Sequence, residues 1–160
     1  MQRARGLWVI YVSLAIAMTT MLLPLQLEWR FLRPDIVALT LFYWALALPH
    51  RVGVATAFTV GLAQDLIEGA PLGLSSLGLM IATLLLLLNY QRIRQFDALQ
   101  QSLMMLFLMM LSFAIEMWLR NAINFPVQSW SVMLGLVLSV ALWVPLRHLL
   151  RSVRRYYEVY

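Results

Sequence analysis

Cysteine is absent from this 160-residue chain, and so is lysine, every one of the twelve basic residues being arginine. Without cysteine there is no disulfide, no thiolate metal site and no thiol nucleophile. Histidine occurs only as His50 and His148, each near an arginine, and neither has a metal-ligand spacing to another candidate. Charge of either sign is scarce: 12% of residues are charged against 62% hydrophobic, with a mean hydropathy of +0.80. That balance excludes a soluble fold, which could not hide so much apolar surface. The net charge of +5 does not point to nucleic acid, because its arginines are scattered between lipid-soluble stretches and form no solvated basic face.

What the chain does have is long apolar runs. In hydrocarbon a backbone must satisfy its own hydrogen bonds, so each run reads as a helix. There is room for about six spans of roughly 20 residues with short connections, and for no extramembrane domain. The runs are 7–25, 34–48, 52–67, 72–89, 98–119 and 130–146, followed by a basic tail over 147–160. The first is long enough to remain as a span instead of a cleaved leader. Pro34 and Asp35 suit the first turn of the second helix, and Asp97 with Gln100 resembles a capping box opening the fifth. The second and third runs each hold only about 15 clean apolar residues, so a re-entrant hairpin is the alternative to two crossings. Arg51 at its tip would then lie in lipid, which favours two crossings.

Positive residues in short loops resist translocation, which orients the chain. With the N-terminus inside, nine arginines (Arg3, Arg5, Arg51, Arg92, Arg94, Arg147, Arg151, Arg154 and Arg155) are cytoplasmic and three (Arg30, Arg33 and Arg120) are outside. The expectation is an all-α integral membrane protein of one domain: a six-transmembrane-helix bundle with both termini cytoplasmic.

Gly53, Ala57, Gly61 and Asp65 recur every fourth residue and line one helix face as a smooth groove ending in a carboxylate. Small residues at that spacing let a second helix approach closely, either from the same chain or from a partner. Asp65 and Glu68 close the run at the expected headgroup level, where much of the roughly 3 kcal/mol cost of a carboxylate in hydrocarbon vanishes. Ser112, Glu116 and Arg120 share another four-residue spacing, with Glu ahead of Arg as a helical ion pair prefers. Arg147, Arg151, Arg154 and Arg155 cluster on one flank of a continued helix beside Tyr156 and Tyr157. That patch suits anionic lipid headgroups, with a cytoplasmic protein as the alternative. The methionines of the fifth run, Met104, Met105, Met109 and Met110, read as gap-filling side chains. No constellation for acid-base, nucleophilic or metal chemistry is legible, so neither an enzyme nor a cofactor is expected.

Three segments together resemble the rod shape-determining protein MreD family. They are Arg33-Pro34-Asp35, the run Leu46-Ala47-Leu48-Pro49-His50-Arg51-Val52-Gly53, and Gly61-Leu62-x-x-Asp65-Leu66-x-x-Gly69-x-x-Leu72-Gly73. The likeness extends over nearly the whole chain in length and span order, while its motifs lie between Arg33 and Gly73; Leu142-Trp143-Val144-Pro145 matches only loosely. What the resemblance implies is a non-enzymatic scaffold of the rod complex (elongasome) in the bacterial inner membrane. Its implied partner is the bitopic protein MreC, in an assembly that couples MreB filaments to lateral peptidoglycan synthesis by RodA and its transpeptidase partner. The family is also similar in fold to the vitamin-binding S-components of energy-coupling-factor transporters. A small-molecule binding or transport subunit is therefore the alternative, with Asp65, Glu68, Ser75, Ser76 and Glu116 as its polar groups.

Overall fold

The computed structural model describes residues 7–22, 34–126 and 132–157. Among them the chain is all helical: α1 (Leu7–Leu22), α2 (Ile36–Ala47), α3 (Val54–Glu68), α4 (Leu74–Leu88), α5 (Tyr90–Gln95), α6 (Ala98–Ala122) and α7 (Val132–Tyr156). Arg33, with Arg3, Arg5 and Arg30, lies outside the described residues.

The sequence of α2 is apolar on every side, and a helix of that kind belongs at the centre of a bundle. Every residue from Val37 to Leu46 is buried, with Phe42 and Trp44 fully enclosed. Hydrogen bonds pin it at both ends. Asp35 is its N-cap and accepts the Ala38 N–H (3.0 Å), while the Asp35 N–H donates to Ser139 Oγ on α7 (2.8 Å). Trp44 Nε1 donates to Ser13 Oγ on α1 (2.8 Å), and Arg94 donates to the Ala47 carbonyl (2.8 Å). Pro34 sits ahead of the cap and outside the helix, because the Asp35 side chain takes the capping role and starts α2 at Ile36.

These cross-links define two ends of the bundle. At one, the starts of α2, α4 and α7 meet the ends of α1, α3 and α6; among the described residues it carries Asp35, Asp65, Glu68, Glu116 and the single cation Arg120. At the other lie the turn after α2, the helix α5, the start of α6 and the end of α7. Its described charges are Arg51, Arg92, Arg94, Arg147, Arg151, Arg154 and Arg155 against Asp97 alone. The short helix α5 is not anticipated in the sequence, where the fourth run ends at 89 and the fifth begins at 98. It forms because Ile93 turns into the core at 1% exposure and Gln101 Nε2 holds the Ile93 carbonyl (2.9 Å). The capping box at the start of α6 is present, with the Gln100 side chain accepting the Asp97 N–H (3.4 Å).

The two longest helices, α6 and α7, each have 25 residues and are long and apolar enough to cross a membrane. Only 22% of the apolar window of each is buried, whereas the core helix of a soluble protein is mostly enclosed. Leu99, Leu103, Phe107 and Trp118 on α6, and Leu134, Val137, Leu138 and Leu149 on α7, face outward. An apolar surface of this extent marks a membrane or interaction face.

Candidate functional site

The turn between α3 and α4 is built around one carboxylate. Gly73, the N-cap of α4, has no side chain with which to cap it, and the first amides of a helix need acceptors. Asp65, eight residues upstream on α3, supplies them. Its Oδ2 accepts the Gly73 N–H (2.8 Å) and the Ser76 hydroxyl (3.2 Å), and its Oδ1 accepts the Ser75 N–H (2.9 Å). Asp65, expected at headgroup level, is fully enclosed by the turn it clamps. Backbone amides and the positive end of the α4 dipole take the place of water around the charge.

Two features let the chain fold back far enough for this. Gly69 and Gly73 adopt left-handed backbone angles, with φ of 66° and 107°, which L side chains rarely adopt. Neither has an atom within 4 Å of a built Cβ, so conformation and not space requires glycine there. At Gly61 the requirement is space: a Cβ would overlap the Ser76 backbone. Ala57 and Asp65 on the same face are buried too, whereas Gly53 is half-buried at the N-cap of α3 with room for a Cβ. From Ala57 to Asp65, then, the small-residue face is turned inward, with α4 of the same chain packed against Gly61 and Asp65. A second close approach, which the sequence reading missed, lies at Gly78 of α4. There a Cβ would meet the Ser112 carbonyl at 2.6 Å and its hydroxyl at 2.7 Å.

Arg120 ties this turn to the end of α6. It is 5% exposed, and its Nη2 lies 2.6 Å from Glu116 Oε1, the i,i+4 pairing expected from the spacing. The same nitrogen lies 3.6 Å from Glu68 Oε2 on α3, a partner the sequence spacing could not reveal. Phe125 covers the guanidinium at 5.4 Å, and the Pro126 carbonyl accepts from Nη1 at 3.5 Å. Ser112, in the same four-residue series, belongs instead to the α4 crossing. Among the described residues, no three His, Asp or Glu side chains are grouped as metal ligands would be.

At the basic end the four tail arginines divide by helix face. Arg147 shares the inner face of α7 with Trp143 and Leu150 and donates to Gln101 Oε1 (2.7 Å). Arg154, two turns further on, reaches Tyr43 of α2. Arg151 and Arg155 point outward and are exposed. Around the turn after α2, Pro49 is half-buried and His50 and Arg51 are exposed, while Val52 anchors the loop at 1% exposure.

The segments that organise these sites are the ones that resemble a known family, and the comparison extends well beyond them. The family model described as rod shape-determining protein MreD matches residues 2–153. The chain belongs to the MreD family. It is similar to the rod shape-determining protein MreD of Haemophilus influenzae, with 32% identity over 144 residues, covering 88% of this chain and 86% of that protein. No solved structure gives a significant match. For this MreD family member, membership carries a role in rod shape determination, and its apolar outward faces fit a membrane protein. In it Gly69 and Gly73 form the left-handed turn, Asp65 clamps it, and Asp35 caps α2.

Proposed function

We propose that this chain is a non-enzymatic scaffold of the rod complex, crossing the bacterial inner membrane about six times with both termini in the cytoplasm. It holds the transmembrane helix of MreC against an outward helix face and so helps couple MreB filaments to RodA and its transpeptidase partner. The observation that carries this reading is the contrast on one molecule between a groove face engaged by its own α4 and broad apolar faces left uncovered on α6 and α7. A partner helix then meets α6 or α7, not Gly61. Photo-crosslinking in cells from Phe107, Trp118 and Leu138 tests it, with buried Ala57 as the control. Capture of MreC from an outward position and none from Ala57 is expected; capture of a transporter ATPase instead would overturn the assignment.

The alternative, a small-molecule binding subunit sharing the fold of energy-coupling-factor S-components, needs polar side chains converging on an enclosed cavity. The groups it would use are engaged with each other: Asp65 with Ser75 and Ser76, Glu68 and Glu116 with Arg120. Native mass spectrometry of the purified protein separates the readings, since a binding subunit retains one metabolite reproducibly.

A further inference from the structure

The division of the α7 arginines assigns a ligand to only part of the tail. From Trp143 onward the helix has three faces. Trp143, Arg147, Leu150 and Arg154 pack inward; Leu149 and Tyr156 are apolar and exposed, at 60% and 80%; His148, Arg151, Ser152 and Arg155 form an exposed polar face. A helix with an apolar flank beside a cationic one is the pattern that lies in a membrane interface. The level of that interface is marked independently. Trp8 at the start of α1 stacks edge-on against Tyr157 with centroids 5.2 Å apart, and Tyr157 stacks on Tyr156 at 5.0 Å. Exposed Trp and Tyr rings gather at the headgroup layer, where one side of the ring is wet.

We propose that the outward face of His148, Arg151 and Arg155 binds the headgroup phosphates of anionic phospholipid, while Arg147 and Arg154 serve the fold alone. This rests on reading the chain as membrane-spanning, and it is independent of MreC. Charge complementarity selects the occupant: among the described residues, Asp97 is the sole acid at this end of the bundle, and neither Arg151 nor Arg155 has a carboxylate partner within ion-pair distance. Guanidinium groups match phosphate oxygens in pairs, and a cationic face favours a headgroup of net negative charge over a zwitterionic one whose choline cation offsets its phosphate.

The test is lipid retention by the purified full-length protein in detergent, read by native mass spectrometry after adding phosphatidylglycerol or phosphatidylcholine. Wild type should retain phosphatidylglycerol preferentially, and each outward arginine removed should weaken retention about fivefold. The double variant R151Q/R155Q should therefore lose the preference while melting as wild type does. R147Q/R154Q should melt earlier but, while folded, keep the preference. As a second measurement, raising salt on the wild type should reduce phosphatidylglycerol retention, because exposed charges are screened. Undiminished phosphatidylglycerol on R151Q/R155Q would overturn the proposal. So would equal retention of both lipids by wild type, the result expected if an acidic protein segment were the occupant. Loss of MreC capture with lipid retention intact would count against the scaffold reading alone.

Discussion

The two ends of this bundle use charge in opposite ways. At the acidic end Asp65 is spent on three donors of the α4 start, and buried Arg120 pairs with Glu116 and Glu68. At the basic end some arginines cap or brace helices, as Arg94 does at Ala47 and Arg147 at Gln101, while Arg51, Arg92, Arg151 and Arg155 stay exposed. The difference follows from cost. A carboxylate that leaves water needs donors in fixed positions, and a helix N-terminus provides them. An arginine can bury its stem and keep its head at the interface, so an excess of arginine needs no internal partners. The acidic end is therefore structural, and the exposed part of the basic end is available for contact.

Substitutions break that contrast in a definite order. Asp65→Ala should have the largest effect, destabilising by about 4 kcal/mol, because it leaves two amides and a hydroxyl of a largely enclosed turn without an acceptor. Asp65→Asn, which keeps one carbonyl acceptor, should cost about half as much; both are read from unfolding midpoints in detergent. Gly61→Leu comes next, at about 3 kcal/mol, since the new side chain meets backbone that has no room to turn aside. If that variant melts as wild type does, α3 and α4 do not approach as described. Arg120→Gln should cost about 2 kcal/mol, discounted because Glu68 remains partly in water. A second change, Glu116→Gln, should recover part of the loss if the ion pair is what matters. Smallest is Arg151→Gln with Arg155→Gln, expected within about 0.5 kcal/mol of wild type. An effect there as large as at Arg120 would erase the distinction between the ends.

Some of this was legible in the residues and some was not, for a physical reason. Helical periodicity reports which side chains share a face, so the Ala57-Gly61-Asp65 series, the Glu116-Arg120 pair and the Asp97 capping box could be read directly. It does not report what lies opposite. The same spacing is compatible with a neighbour in the chain or a partner, and only the fold turns Ser75 and Ser76 toward Gly61 and Asp65. Asp65 ends an apolar run, and nothing local shows that the next helix folds back to cap itself on it. The tail arginines read as one patch for a related reason. Residues 147, 151, 154 and 155 are close in sequence, but the side of α7 that packs on the bundle cuts between them. Helix α5 is not legible because six residues with a single buried side chain carry no periodic signal.

In the proposed topology the exposed arginine end faces the cytoplasm and the Asp65 turn faces the opposite side. Because the chain has no cysteine, single substitutions report position without background. In spheroplasts treated with a membrane-impermeant maleimide, Leu72→Cys, on the exposed turn beside Gly73, should be labelled at once. His50→Cys and His148→Cys should react only after the membrane is opened. Labelling of His50→Cys in sealed spheroplasts would overturn that orientation.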